Sequence, residues 1–365
     1  MNMKKKKRVI VGMSGGVDSS VAATLLKDQN YDVVGISMSI WDNLSSFKIQ
    51  SKNACFGPDE CKDISEARRV ADMLGIPFHV FSLKKEFNNI VLKDFRNEYC
   101  RGNTPNPCII CNSKIKFGIL LEKAMESQIE FDFFATGHYV QLEYNTTVQR
   151  FILKRAVDLQ KDQSYFLYSL SQDQLKCCLF PLGKYTKHEV KQIAKEKGLG
   201  IETKKESQDF FSGDYTDLID SPHKPGKIIN RRGDILGEHK GLIHYTIGQR
   251  RGLGIAAEEP LYVIDKDIDR NIIIAGTKSE LYNNGLIAYK LNWLLFNELS
   301  NPMEVSAKIR YRSKEAAAVI SPGGQNTVIC RFKESQSAIT PGQSVVFYKE
   351  GIVVGGGIIM KTIIS

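Results

Sequence analysis

Residues 8–27 read RVIVGMSGGVDSSVAATLLK: a short apolar run, a glycine-rich turn, then a segment with Val21, Ala22, Leu25 and Leu26 on one helical face. Strand, tight turn and helix make the first half of a βαβ unit, and a chain that begins so is committed to a parallel sheet with helices on its faces. The pattern recurs. YDVVGISMSI (31–40) predicts a second strand, ISEARRVADMLG a helix stopped at Gly75, IPFHVFSL a third strand and FDFFATGHY (131–139) a fourth. The expected fold is α/β, with an N-terminal Rossmann-like, doubly wound parallel sheet.

From about residue 205 the texture changes to short apolar runs broken by Gly, Pro, Asn and Asp, as in KPGKIINRRGDILGEHKGL and LYVIDKDIDRNIIIAG. These are hairpin signals without helical periodicity. From about 285, VSAKIRYRS, AAAVISP, NTVICRF and QSVVFYKEGIVVGGGII predict a small antiparallel barrel. At 365 residues the chain exceeds one ordinary core. Three domains are expected: 1–205, 206–284 (small and β-rich) and 285–365 (the barrel).

A net charge of +9 exceeds what solubility needs and favours a polyanionic partner. With 42% hydrophobic and 25% charged residues, disorder is not indicated. The basic run MNMKKKKR leads into an apolar stretch too short for a signal peptide or membrane span, so a cytoplasmic protein without a membrane partner is expected. Eight cysteines are too few for a disulfide scaffold, and clustered ones point to metal or catalysis. Cys177, Cys178 and Cys330 lie in apolar stretches and read as buried packing residues.

The turn GMSGGVDSS (12–20) lacks the Gly-Lys-Ser/Thr of a Walker A loop. Its glycines let backbone approach phosphate, and the N–H groups of the following helix supply an anion site. It matches the SGGxDS loop of ATP pyrophosphatases. Ligands of an open α/β sheet bind beyond the carboxyl ends of its strands, which places Met38 and Gly137 near the nucleotide, with His138 beside them as a neutral imidazole facing substrate.

The second chemical segment is TPNPCIICN (104–112). Asn112 precedes SKIKFGILLEKAME, in which Phe117, Leu120, Leu121 and Ala124 share a face, so Asn112 is the expected helix N-cap. Cys111 would then sit at the positive end of a helix dipole, where a thiolate is favoured. Three readings stay open: a catalytic thiol, a structural zinc site completed by Cys55, Cys61 or Cys100, and an iron–sulfur cluster on Cys100, Cys108 and Cys111.

Taken together, GMSGGVDSS, TPNPCIICNSKIKFG, ATGHY, KDQSYFLYSL, PLG, ESQD, HKGLIHYTIGQRRGLGI, IRYRS and PGQSVVFY resemble the tRNA-specific 2-thiouridylases, enzymes of the ATP pyrophosphatase superfamily that place sulfur on C2 of the wobble uridine. The resemblance covers nearly the whole chain. It implies ATP with Mg2+ on Gly12, Met13, Ser14, Gly15, Gly16, Val17, Asp18 and Ser19, with Met38 and Gly137 nearby and Asp18 in the chemistry. It implies Cys111 as nucleophile, Asn106, Pro107 and Cys108 at the target base, and tRNA contacts from His138, Lys161, Asp162, Gln163, Arg310, Tyr311 and Gln343. Arg250, Arg251 and Arg312 are further basic candidates. The expected partners are tRNAs with Lys, Glu and Gln anticodons and a sulfur-donor protein, the enzyme itself acting as a monomer.

One departure matters. The family's second cysteine, its persulfide carrier, follows a Ser-Gln-Asp/Glu motif in a Cys-Phe pair, whereas KESQDFFSGDY (205–215) has Phe210 and Phe211 there. Family members often carry Asp where this chain has Cys108. Cys108 is therefore the candidate replacement partner, either in a persulfide relay or as a ligand of a [4Fe-4S] cluster. The alternative is an RNA-binding paralogue with a different RNA substrate or no thiolation activity.

Overall fold

A computed structural model describes residues 6–42, 54–204, 209–219 and 224–363. The chain forms two compact units, the first of 1–91, 107–214 and 351–353, the second of 92–106, 215–350 and 354–365.

The first unit is built on β1 (Arg8–Gly12), α1 (Val17–Asp28), β2 (Asp32–Ser39), β3 (Ala54–Phe56), α2 (Glu60–Leu74), β4 (Phe78–Ser82), β5 (Phe133–Thr136), the hairpin β6 (Val140–Asn145) and β7 (Arg150–Arg155), β8 (Cys178–Leu179) and β9 (Asp209–Phe211). Its main sheet runs β4-β2-β1-β5-β8, all parallel. The four expected strands are present, and β8 is a fifth that two residues could not announce. Val9 and Val11 of β1 pack on Val21, Ala22 and Leu26 of α1 and on Ala67, Val70 and Ala71 of α2. Gly75 ends α2 in the left-handed region at φ 61, where glycine carries no Cβ penalty. Separately, β3 and β9 pair in parallel, Ala54 with Asp209 and Phe56 with Phe211.

In the second unit, β10 (Gly226–Ile229), β11 (Ile235–His239), β12 (Tyr262–Asp267) and β13 (Ile272–Gly276) form a sheet in the order β11-β10-β13-β12. The remaining strands are β14 (Tyr282–Trp293), β15 (Met303–Lys308), β16 (Ala316–Pro322), β17 (Val328–Ser337), β18 (Ser344–Lys349) and β19 (Ile352–Ile363). They run β14-β17-β16-β15-β18-β19, and β19 pairs back on β14, so the antiparallel barrel closes and leaves no open edge. Its interior holds Leu286, Ile320, Val328, Phe347 and Val354.

Two expectations need correction. Cys178 is buried and Cys330 is buried, but Cys177 is exposed, because it ends a short helix just before β8 and turns away from the core. Asn112 is not an N-cap. Helix begins at Pro107, which fits a first turn whose N–H groups go unpaired anyway, and runs Pro107–Ile110, then as π-helix Cys111–Ile119, then Leu120–Glu126. Asn112 is buried within it and its Nδ2 donates to Phe166 O at 3.2 Å.

Candidate functional site

The turn between β1 and α1 is held by its own atoms. Ser14 N donates to Ser19 Oγ at 3.1 Å, and Ser19 Oγ and Ser20 Oγ donate to Gly16 O at 3.3 and 2.9 Å. Gly15 lies at φ +69, and a Cβ there would stand 2.1 Å from Asp63 O. A Cβ on Gly137, just past β5, would stand 2.6 Å from Ser19 N. The glycines are thus demanded by close backbone approach. Lys204 ties the turn from outside, donating to Gly15 O at 2.9 Å and to Asp63 at 2.8 Å.

Asp18 is committed. It accepts from Tyr139 Oη at 2.7 Å and from Lys187 Nζ at 2.7 and 2.9 Å. Glu60, at the start of α2, is buried with its carboxylate on Ile40 N, Trp41 N and Ser39 Oγ at 2.6 to 2.8 Å.

A cavity of about 380 Å³ opens beside this turn, within the size range of small-molecule sites. Gly12, Met13, Ser14, Gly16, Val17, Asp18, Ser19, Met38 and Gly137 line it, as do His138 and Gln163. Gly15 does not line it but shapes it through α2. Pro107, Cys108 and Cys111 from the helical run line it too, with Lys116, Cys55 of β3 and Phe210 of β9. The sequence gives no signal for Lys116 or Lys204, offers Cys55 only as a zinc ligand and marks Phe210 only as the residue at the position of the missing cysteine.

The electrostatics reverse one expectation. Burial pushes the Cys111 thiol up to about 11, with the nearby Lys116 ammonium pulling the other way, and burial pushes Cys108 up to about 12. Cys111 lies beyond the first helical turn, outside the reach of the dipole, so desolvation wins and the resting thiol is protonated. Burial, then the charge of Lys116, lowers His138 to about 3. Its neutral ring shares a 2.7 Å hydrogen bond between Nδ1 and Thr136 Oγ1.

The remaining expected residues are dispersed. Asp162 is buried and spent on Ala156 N (3.0 Å) and Ser164 Oγ (2.7 Å), and Lys161 lies beside it in the same loop. Asn106 belongs to the second unit. There Gln343 Nε2 donates to Thr104 O at 2.7 Å, the Arg310 guanidinium donates to Ile247 O, Ala338 O and Thr340 Oγ1, and Tyr311 lies under Lys308. Arg310 and Asp162 therefore hold structure, whatever else they touch.

Cys100 ends the helix Lys93–Cys100 in the second unit and is absent from the cavity wall. Among the described residues no group of three or more His, Cys, Asp or Glu side chains is placed to hold a metal ion. Cys100 belongs to the second unit, whereas Cys108 and Cys111 belong to the first. Glu206, Ser207 and Gln208 of the ESQD motif lie outside the described residues. No helix among the described residues is long and apolar enough to cross a membrane.

Three family profiles match the chain in order: a tRNA methyl transferase HUP domain over residues 7–211, a tRNA methyl transferase PRC-barrel domain over 219–277 and an aminomethyltransferase beta-barrel domain over 283–359. The tRNA-specific 2-thiouridylase MnmA of Endomicrobium trichonymphae is 45% identical over 98% of this chain and 100% of its own length. That of Halothermothrix orenii is 47% identical over 97% of this chain and 99% of its own. A solved 4-thiouridine synthetase–RNA complex with bound ATP is a remote match, 16% identical with a TM-score of 0.35, covering 59% of this chain and 46% of that one.

Proposed function

The chain belongs to the tRNA-specific 2-thiouridylase family, and from that premise we propose that it replaces the C2 oxygen of the wobble uridine, position 34 of tRNA, with sulfur at the expense of ATP. One observation carries the reading: a single cavity is lined both by the Ser14–Ser19 turn and by thiols. Adenylation and sulfur delivery must act on the same carbon, so their tools must share one space.

The turn holds the ATP phosphates on its N–H groups and those of the start of α1. Met38 and Gly137 flank the nucleotide, and Asp18, held by Lys187 and Tyr139, keeps the turn in register. The C2 oxygen attacks the α-phosphorus, pyrophosphate leaves, and C2 becomes electrophilic with AMP as leaving group. Magnesium bound to the ATP phosphates would neutralise their charge as pyrophosphate leaves; the carboxylates of Asp18, Glu60 and Asp63 that line this cavity pair with Lys187, backbone N–H groups and Lys204. Cys111 is the nucleophile, with a second thiol completing the relay. Cys108, one helical turn away, is the partner that the sequence nominates. This relay runs on the thiols of the cavity alone, with no step through an iron–sulfur cluster.

Pro107, His138 and Gln163 face the extruded base, and Asn106, Lys161, Arg310, Tyr311 and Gln343 serve the tRNA, the +9 charge giving salt-dependent affinity. Three domains divide the labour: adenylation in 1–205, a β-rich connector in 206–284 and a tRNA-contacting barrel in 285–365. The enzyme works in the cytoplasm as a monomer on tRNAs with Lys, Glu and Gln anticodons and is loaded by a sulfur-donor protein.

Nucleoside mass spectrometry of tRNA from cells with and without the gene tests this: 2-thiouridine at position 34 should disappear on deletion, and purified protein with ATP and a persulfide donor should restore it. Full retention of 2-thiouridine would instead favour the paralogue reading, which Phe210 and Phe211 at the carrier position keep in play.

A further inference from the structure

The described cavity wall holds three thiols, and one of them comes from a segment that the catalytic motifs do not include. Cys55 sits in β3 between Ala54 and Phe56, whose side chains are buried while that of Cys55 is exposed. Phe56 packs against Trp41, Phe87 and Phe211. Strand alternation therefore turns Cys55 to the face opposite this aromatic cluster.

The register makes that face meaningful. With Ala54 opposite Asp209 and Phe56 opposite Phe211, Cys55 lies level with Phe210, and both line the cavity with Cys108, Cys111 and Lys116. Charge on Cys55 is felt by Cys108, Cys111 and Lys116 alike. Phe210 stands in the segment after Ser207-Gln208-Asp209 where a sulfur carrier is missing. The neighbouring strand thus brings a thiol to the side of the very position that lacks one.

We infer that Cys55, rather than Cys108, is the persulfide carrier of this site, with Cys111 as its resolving partner; the inference rests on the proposed thiolation activity. An exposed thiol on a strand is open to an incoming donor, whereas Cys108 and Cys111 are half-buried in the helical run. Desolvation leaves Cys108 the harder of those two to ionise.

The chemistry balances. A persulfide-bearing donor passes its outer sulfur to Cys55, giving Cys55–S–SH. The terminal sulfur of that persulfide, deprotonated, attacks C2 of the adenylated uridine, the C2–O bond breaks and AMP leaves with its electron pair. Cys111, as thiolate, attacks the Sγ of Cys55; the S–S bond to the nucleoside breaks and 2-thiouridine leaves with that pair. A Cys55–Cys111 disulfide remains, and a dithiol reductant supplies the two electrons that reopen it. Lys116 supplies positive charge beside each thiolate in turn.

The test is a single turnover of the full-length protein on tRNA with ATP and a persulfide donor, without reductant. In the wild type, peptide mapping should find a disulfide joining Cys55 to Cys111. Cys55→Ser should lower thiolation at least about 100-fold with an unchanged melting curve, and adding Phe210→Cys to that variant should restore a measurable part of the loss, because the two positions are level. A Cys108–Cys111 disulfide in the wild type, or Cys55→Ser at full rate with Cys108→Ser inactive, overturns the inference and leaves the proposed function standing. Wild-type protein that forms no 2-thiouridine overturns both.

Discussion

The two walls of the cavity are built by opposite means. The wall proposed to hold the nucleotide is backbone: N–H groups at the start of α1, a turn pinned by Ser14 and Ser19, and glycines on whose Cβ positions Asp63 O and Ser19 N crowd. The thiol wall is side chain: sulfur from β3 and from the Pro107–Ile119 run, with a lysine among them. Backbone geometry can be met by one string of residues in one place. Reach can be met from any strand that faces the space, so a thiol can be lost from β9 and supplied from β3 without moving the site. The first wall should fail when a Cβ is added, and the second should fail only when sulfur or its ionisation is taken away.

The largest effect expected is from Cys111→Ser. Thiolation should fall at least about 10³-fold, as for loss of an enzyme nucleophile, while ATP-dependent pyrophosphate release falls far less. Equal loss of both, measured on the same preparation, would mean that the walls are not separable. Next is Gly15→Ala. With φ +69 and a Cβ 2.1 Å from Asp63 O, the turn or the start of α2 must shift, and misplacement of phosphate-binding N–H groups should cost about 10²-fold in pyrophosphate release. Labelling of Cys55 by an alkylating reagent should be unaffected. A Gly15→Ala protein with normal adenylation would remove the claim that this wall is fixed by its backbone.

Much of the first wall was legible because its residues are contiguous and its glycines have backbone reasons to be there. The parallel sheet and the barrel were legible for a similar reason: periodicity is local. The thiol wall was legible only in Pro107, Cys108 and Cys111, which one contiguous motif supplies. Asn112 looked like a cap, but Pro107 opened the helix five residues earlier, and burial rather than the dipole then decided the state of Cys111. Cys55 and Phe210 meet only through a register between distant strands. Arg310 reads as a basic residue for RNA, yet its guanidinium closes on two carbonyls and a hydroxyl, a use that depends on long-range packing.

A pH series probes the thiol wall with no substitution at all. Burial raises Cys111 to about 11, so the thiolate fraction is small near neutrality and grows as pH climbs toward that value. Where attack by Cys111 limits the single turnover, the rate should rise about tenfold per pH unit between pH 7 and 9, the dependence of a thiolate reaction run well below its pKa. A plateau below pH 8 would mean a thiol already ionised in the resting wall, and the contrast between a prepared nucleotide wall and an unprepared thiol wall would be lost.

The smallest effect belongs to His138, which lines the same cavity. Its ring lines the cavity, is bonded to Thr136 Oγ1 and lies within the influence of Lys116. Desolvation, with that ammonium adding to it, lowers the imidazole to about 3, so it stays neutral throughout the range in which the protein can be assayed. An ordinary histidine would bend the pH profile near 6.5; this one should leave no inflection between pH 5.5 and 7.5. His138→Gln keeps a neutral hydrogen-bonding side chain, and should change thiolation less than about tenfold, because a positioned neutral contact is worth only about 1 kcal/mol. An inflection near 6.5 that vanishes in His138→Gln would show that the imidazole titrates in the assay range, and would overturn its role as a neutral contact.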